Sequence, residues 1–223
     1  LCTDGVAEFD LATQRFKTLL QGNVDAIYFN EKLYIGKREE VFVYNESTGN
    51  FDLFYHLAGK NITLSCLHLD KNKNLWMGTT SNGIYCLSED KSLSRPVTKG
   101  NITSIYEDSS NELWIGSWEE GLYRVKTDGN IENLRHNPMN TNSLCSNFVR
   151  SCCEDNSGDL WIGTFNGLNR YDRETGKFHL YTANGNSPDG LTHSSIWCIV
   201  KDGQGTIWLG TYFGGVNSVS YTH

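Results

Sequence analysis

The sequence repeats one five-residue motif four times, and this repeat limits the possible fold more than any other feature of the chain. Each copy has an aliphatic residue, a Trp, a second apolar residue, a Gly and a hydroxyl residue. The copies are Leu75–Thr79, Leu113–Ser117, Leu160–Thr164 and Ile207–Thr211. An Asp lies six residues before each Trp, and a Gly follows it by six or seven residues. A weaker copy, with Tyr in place of Trp, spans residues 33–36.

Each copy is typical of short β-strands joined by tight turns. A run rich in β-branched and aromatic residues, such as Ile102–Tyr106, precedes the Asp and is too short for a helix. The Asp and the Gly near it favour a hairpin, because Asp side chains accept backbone N–H bonds and Gly adopts positive φ. The motif strand and two further strands follow. Four antiparallel strands in about 40–47 residues are typical of a propeller blade, so we predict an all-β propeller of four-stranded blades.

The repeat also predicts how the blades divide the chain. We place whole blades at 25–60, 61–100, 101–142 and 143–190, with partial blades at 1–24 and 191–223. Because both ends fall inside blades, two arrangements stay open. Either the ends complete one blade of a five-bladed ring, or the chain is a piece of a larger propeller.

Composition limits the partners that this chain can have. The 223 residues carry a formal net charge of −7, which argues against a nucleic-acid partner and against anionic membrane surfaces. No stretch approaches the roughly 18–20 apolar residues that cross a bilayer. We therefore expect contact with a membrane only through segments absent from this sequence.

Most of the seven cysteines are predicted to be small buried side chains, with a redox switch as the alternative for the vicinal pair Cys152 and Cys153. No two have the C-x-x-C spacing, and no zinc-like ladder of Cys and His is present in the sequence. Cys66 and Cys198 fall ten residues before a motif Trp, where the other copies have Ser, and Cys152 falls one position later. We therefore expect small buried side chains there, and we expect no metal and no cofactor.

The recurring Trp and Asp also favour structural roles. A Trp that recurs at one phase of every copy indicates packing between blades, although a ligand platform is the alternative. An Asp that recurs at the same hairpin indicates a turn former, with carboxylate chemistry as the alternative.

The combined motif resembles the two-component regulator propeller repeat. The resemblance is strongest over residues 143–183, where Gly167–Asp172 and Thr175–Phe178 follow the Leu160–Thr164 motif, and the linker at 136–144 resembles the family's inter-blade loop. The copy at 25–60 departs from the family pattern, since it has no Asp six residues before Tyr34. The resemblance implies the periplasmic sensor region of a membrane-bound hybrid histidine kinase that is homodimeric. It also implies a response to oligosaccharides that controls polysaccharide-utilisation genes.

The candidate ligand site lies in the loops that begin four residues after each Trp. Three of the four copies have an aromatic residue at that position, and such rings stack on the C–H faces of sugars. The candidates from these loops and their neighbours are Trp118, Glu119, Glu120, Phe165, Asn166, Tyr212 and Phe213, with Arg38 from the weak copy and Asn147 and His193 from inter-blade loops. Two alternatives stay open: the aromatics pack between blades, or the face contacts adjacent sensor domains.

Catalysis by this chain is not expected. The six histidines fall at different phases of the repeat, and the consecutive pair Glu119 and Glu120 would point to opposite sides of a strand. No phosphate-binding loop, nucleophile elbow or metal motif is present in the sequence. A propeller enzyme of lyase or glycosidase type and a protein-interaction scaffold are the alternatives to a sensor.

Overall fold

A computed structural model describes residues 5–58, 62–94, 96–183 and 190–219. Throughout this part of the chain the regular structure is β, and no helix is long and apolar enough to cross a membrane. The chain forms two compact units, residues 1–99 and 100–223, which are described separately. Cys2 and segments 59–61, 184–189 and 220–223 of the predicted blades lie outside the described residues.

The first unit contains three antiparallel sheets whose strands follow each other in sequence order. A two-stranded sheet is followed by a four-stranded and a three-stranded one. The strands are β1 Gly5–Asp10, β2 Arg15–Gln21; β3 Ala26–Asn30, β4 Lys32–Lys37, β5 Glu40–Asn45, β6 Asn50–His56; and β7 Leu64–Leu69, β8 Leu75–Thr79, β9 Ile84–Leu87.

The second unit also contains three antiparallel sheets in sequence order, two of them four-stranded and the last three-stranded. The strands are β10 Ile102–Glu107, β11 Leu113–Ser117, β12 Leu122–Val125, β13 Ile131–Leu134; β14 Val149–Glu154, β15 Leu160–Thr164, β16 Gly167–Asp172, β17 Lys177–Tyr181; and β18 Ile196–Lys201, β19 Ile207–Thr211, β20 Val216–Val219. Among the first strands of successive sheets, β10 contacts β14, and β14 contacts β18. The predicted all-β class with four-stranded antiparallel sheets is confirmed, whereas the blade boundaries stay a prediction.

The sheet of β7–β9 lacks a regular fourth strand in the described residues. Ser94 N donates to Cys86 O and Val97 N donates to Ile84 O, both at 2.9 Å, so the chain runs along β9. Pro96 lies between these donors and has no N–H to give to the ladder. The fourth strand of this sheet is therefore reduced to isolated hydrogen bonds.

The weak copy forms a complete sheet despite its missing Asp. Asn30 pairs with Lys32, and Glu31 turns the chain between them with φ of 55°. Tyr34 is buried at the position of the motif Trp and packs edge-on to Phe54, with ring centroids 5.5 Å apart. Apolar packing at the Trp position is thus kept without the Asp.

The cores lie between successive sheets within each unit. In the second unit, Trp114 packs with Tyr171 of the following sheet, with ring centroids 5.6 Å apart. Trp161 packs likewise in a cluster with Ile196 of the sheet after that. Packing between blades is thus confirmed for Trp114 and Trp161. Trp76 is also buried, whereas Trp208 of the last sheet is 45% exposed.

Each motif Trp donates its indole N–H to the Asp six residues before it. The Nε1 to Oδ2 distances are 2.6–2.8 Å for the pairs Trp76–Asp70, Trp114–Asp108, Trp161–Asp155 and Trp208–Asp202. The second carboxylate oxygen of Asp155 accepts the backbone N–H groups of Ser157 and Asp159. The prediction of Asp as a turn former is therefore confirmed, and the same side chain also satisfies the buried indole.

The Gly of the motif permits close packing of the next sheet. A Cβ placed on Gly163 would lie 2.7 Å from Ile196 Cγ2, in the first strand of the following sheet. Ser151 pairs with Gly163 in the same sheet. A bulge precedes Ser151, and the same bulge recurs in the first strands of three other sheets. Small residues at both positions leave room for the neighbouring strand.

The six described cysteines are free thiols. Cys152 and Cys153 are buried, and burial raises the pKa of Cys153 to about 12. Cys66 is half-buried, so the prediction of a buried side chain holds only in part for it, and desolvation raises the pKa of its thiol to about 12. Cys198 is exposed, so the prediction of a buried side chain is wrong for that residue, whose sheet is the last one described in its unit.

Candidate functional site

The loops between second and third strands in the second unit are ordered by the hydroxyl residue that ends the motif. Ser117 Oγ donates to Gly121 O at 2.8 Å and accepts the N–H of Glu120 at 2.9 Å. Thr164 and Thr211 make the equivalent bonds in the following sheets. Gly121 has φ of 81°, and a Cβ there would lie 2.5 Å from Leu134 O, so the turn requires glycine.

A second recurring bond places the aromatic residue that opens each loop. The backbone N–H of this residue donates to the carbonyl of the residue that precedes the first strand of the same sheet. The pairs are Trp118–Asn101, Phe165–Phe148 and Tyr212–Ser195, at 2.9–3.0 Å. The three aromatic side chains therefore start from the same end of each sheet, beside the beginning of its first strand.

The structure groups these aromatics into two sets of rings. Phe148 packs edge-on to Trp118 at 5.4 Å between centroids and lies 6.3 Å from Phe165. In the second set, Tyr212 lies 5.3 Å from Trp197 and 4.3 Å from Phe213. The ring of His193 lies 6.0 Å from Phe213 and completes this set.

Arg150 connects the two sets of rings. Its Cζ lies 3.7 Å from the ring centroid of Trp197 and 5.0 Å from that of Trp118. Both distances are within the range of a cation–π interaction. Partial burial lowers the pKa of Arg150 from its ordinary value, because desolvation disfavours the charged form. We call Trp118, Phe148, Arg150, Phe165, His193, Trp197, Tyr212 and Phe213 the Arg150 cluster.

Much of this cluster is open to solvent. Phe165 and Tyr212 are about half exposed, at 50% and 51%, and Phe213 is 80% exposed. Trp197 is 46% exposed, while Trp118 and Phe148 are half-buried. The cluster therefore presents aromatic surface together with a cation.

Several predicted polar residues are engaged within the protein. The carboxylate of Glu120 forms an ion pair with Arg135, whose Nη2 also donates to Glu119 O at 3.2 Å. Asn147 Oδ1 accepts the backbone N–H of His136 at 2.8 Å and so fixes the inter-blade loop. These contacts position the loops around the cluster.

The remaining predicted residues differ in their surroundings. Asn166 and Glu119 are exposed beside Phe165 and Trp118. His193 Nδ1 accepts the backbone N–H of Ser195 at 3.0 Å, which leaves Nε2 as the protonated nitrogen of the neutral ring. Arg38 belongs to the first unit, where it has φ of 52° and its N–H donates to Asp25 Oδ2 at 2.6 Å.

Sequence reasoning missed three members of the cluster, Phe148, Arg150 and Trp197. Arg150 and Trp197 occupy the second residue of their sheets' first strands, a position that holds Ser65 and Thr103 in two other sheets. The available signal was the change from small polar residues to Arg and Trp at one phase of the repeat. No group of three or more potential metal ligands was found among the described residues.

The first unit has a cleft of different character. It has a volume of about 750 Å³ and lies between the sheets of β1–β2 and β3–β6. Its lining combines apolar side chains such as Leu19 and Leu33 with the carboxylates of Glu8, Glu46 and Asp52. Its lining has one cation, Lys32, and one aromatic ring, Tyr44, whereas the Arg150 cluster combines its cation with several rings.

Comparison with solved structures identifies the fold. The chain is 17% identical to a streptogramin B lyase, with a TM-score of 0.66 over 90% of this chain and 69% of that one. It is 22% identical to the extracellular domain of a hybrid two-component system from B. thetaiotaomicron, with a TM-score of 0.54 over 98% and 36% of the two chains. It is 16% identical to the WD40 β-propeller domain of Doa1, with a TM-score of 0.66 over 91% and 65%. The chain thus spans little more than a third of the two-component relative.

Comparison of sequences identifies the repeat. A search of curated proteins gives no match. The model of the two-component regulator propeller matches residues 56–81, 96–119, 143–166 and 190–213, which contain the four Trp motifs. The resemblance to the two-component regulator propeller repeat is thus confirmed over these four segments of the chain.

Proposed function

We propose that this chain is a non-catalytic ligand-binding region of a membrane-bound hybrid two-component sensor, and that its ligands are oligosaccharides. The observation that carries the proposal is the Arg150 cluster, an exposed aromatic surface on the loops of a sensor-family repeat. The likeness to the extracellular domain of a hybrid two-component system supports a location outside the cytoplasm.

The chemistry of the cluster suits a sugar. Pyranose rings present flat C–H faces to aromatic rings, while the polar groups nearby read the hydroxyls. Phe165, Tyr212 and Phe213 supply exposed faces. Asn166 and Glu119 supply exposed hydrogen-bonding groups beside them.

The remaining parts of the proposal concern the parent protein. A periplasmic location, a histidine kinase reached through a membrane helix, a homodimeric parent and control of polysaccharide-utilisation genes follow the family pattern. Adjacent sensor domains are a further partner of the same face, since large exposed aromatics serve either role.

Calorimetric titration of the chain with a panel of neutral and acidic oligosaccharides tests the proposal. We expect a Tyr212→Ala, Phe213→Ala double variant to bind about 5- to 150-fold more weakly, because each stacked ring contributes about 0.5–1.5 kcal/mol. Phe16→Ala is the matched control, since Phe16 is 77% exposed in the first unit. Absence of binding to every oligosaccharide would refute direct sensing by this chain.

A propeller enzyme is the second candidate, and the likeness to a streptogramin B lyase favours it. Product analysis after incubation with the same oligosaccharides and with a streptogramin B distinguishes the two functions. Conversion of any of these compounds would replace the sensor proposal with an enzymatic one.

A further inference from the structure

Arg150 differs from the other arginines of its unit in having no carboxylate partner. Between residues 100 and 223 the described chain has five arginines, and four of them form ion pairs with Asp or Glu. These are Arg124 with Glu112, Arg135 with Glu120, Arg170 with Asp159, and Arg173 with Asp108. Within the described residues, Arg150 has aromatic partners and no ion pair.

The geometry leaves the hydrogen-bonding edge of Arg150 available. A guanidinium is planar and carries its five N–H donors in that plane, so rings stacked on its faces do not occupy the donors. Trp197, at 3.7 Å, covers one part of the group, and Trp118 approaches at 5.0 Å. The two indoles thus hold the side chain in place beside exposed sugar-binding surface.

Electrostatics favour an anion at this edge. Arg150 is partly buried, and a partly desolvated cation without a counter-ion gains most from an anionic partner. Glu120 on the Trp118 loop is already paired with Arg135. Glu119 is exposed and remains the opposing charge on that loop.

We infer that the Arg150 cluster binds acidic oligosaccharides, with the guanidinium of Arg150 pairing with a uronate carboxylate or a sulfate while the rings stack on the sugars. This inference rests on the proposed function and narrows its ligand class. Carboxylate and sulfate share the chemistry that a guanidinium recognises in a bidentate manner, so the experiment separates them.

The test is calorimetric titration of the whole chain with oligogalacturonides, with the same oligosaccharides after reduction of their carboxyl groups, and with heparin oligosaccharides. We expect Arg150→Gln to weaken binding of the acidic ligands by about 10- to 100-fold and to leave the carboxyl-reduced ligands unaffected. Glu119→Gln should strengthen binding of the acidic ligands, and added salt should weaken it.

Lys177→Gln is the matched control. Lys177 lies on β17, the outermost strand of the sheet whose first strand carries Arg150, and this substitution changes the net charge by the same amount. We expect it to leave all affinities unchanged. Near-ultraviolet circular dichroism checks that each variant is folded, and the comparison of acidic with reduced ligands on the unaltered protein needs no variant.

The outcomes separate the two proposals. Preference for oligogalacturonides over their reduced forms identifies a carboxylate ligand, and binding of heparin oligosaccharides alone identifies a sulfated one. Equal binding of acidic and reduced oligosaccharides, or equal losses in the Arg150 and Lys177 variants, would overturn the acidic-ligand inference while oligosaccharide sensing stands. Absence of binding to any glycan would overturn both.

Discussion

At the scale of single residues, the Asp–Trp pair joins a turn to a core. Asp155 accepts two backbone N–H groups in the hairpin and the indole N–H of Trp161 at 2.7 Å. Trp161 is 2% exposed, so no water replaces this acceptor. The fixed spacing of six residues between Asp and Trp thus has a physical cause in all four motif copies.

Asp155→Ala should lower the free energy of unfolding by about 2–4 kcal/mol, because it leaves a buried indole N–H unsatisfied and removes the turn bonds. Asp202→Ala breaks the same set of bonds in the last sheet, where Trp208 is 45% exposed and water can take over. Asp202→Ala should therefore lower the free energy of unfolding by less than Asp155→Ala does. Urea denaturation, with fluorescence as the probe, measures the free energy of unfolding of both variants. Equal decreases in the two variants would contradict the role assigned to burial of the indole.

The thiols should differ in reactivity according to their burial. Cys198 is exposed and should react first with a thiol reagent in the native protein. Cys66 and Cys153 should stay unmodified until the protein unfolds, since burial raises the pKa of each to about 12 and keeps the thiolate scarce. Peptide mass mapping after timed alkylation checks the order, with denatured protein as the control. Early labelling of Cys153 would contradict the packing described for it.

The candidate site was predictable where the copies agree and unpredictable where they differ. Trp118, Phe165 and Tyr212 follow from one loop position that is aromatic in three of the four copies. Arg150 and Trp197 occupy a strand position where other copies have Ser or Thr. Their spacing in the sequence does not predict that the two side chains contact each other. Their proximity depends on first strands of successive sheets lying side by side, a relation that a one-dimensional repeat does not give.

At the scale of elements, packing between sheets depends on the motif Gly. Gly163→Ala should lower the free energy of unfolding by about 1–3 kcal/mol, because its Cβ would press on Ile196 of the next sheet. Gly203→Ala is the control, since a Cβ at that position meets no atom within 4 Å. Thermal denaturation compares the two. If the Gly163 variant were as stable as the Gly203 variant, the strands that carry Gly163 and Ile196 could move apart without lowering the free energy of unfolding.

The strand pattern was largely predictable because turns and alternation are local properties. The four-stranded sheet at β3–β6 formed without the turn Asp, since Glu31 adopts positive φ and Tyr34 keeps the apolar contact. The sheet at β7–β9 lost its regular fourth strand next to Pro96. Whether that strand forms completely depends on backbone hydrogen bonds to its neighbour, and the length of the repeat does not predict these bonds.

At the scale of the whole molecule, local hydrogen bonds lower the pKa values of several Asp carboxyl groups. The carboxyl groups with a lowered pKa are Asp10, Asp90, Asp108, Asp128, Asp172 and Asp202. For a lowered pKa, the unfolded chain binds more protons in acid, so the stabilisation is present above the unfolded pKa of about 4. The free energy of unfolding should therefore fall as the pH drops below about 4.

Asp108 offers the sharpest test of this acid dependence, because it lies between two sheets of the second unit. Burial opposes its charge, but hydrogen bonds from Trp114, the Glu112 backbone and Arg173 outweigh burial and lower the pKa of its carboxyl. Asp108→Asn should cost about 2–3 kcal/mol at neutral pH, since the indole and the guanidinium then lose a charged acceptor.

The difference in unfolding free energy between the unaltered protein and the Asp108 variant should shrink as the pH falls below about 4, because protonation of Asp108 removes the same charge in the unaltered protein. Urea denaturation at a series of pH values measures this difference. A gap of constant size down to the lowest pH would mean that the side chain acts through its shape and not through its charge. A converging pair of curves would make this inter-sheet carboxylate one source of the acid sensitivity of the whole chain.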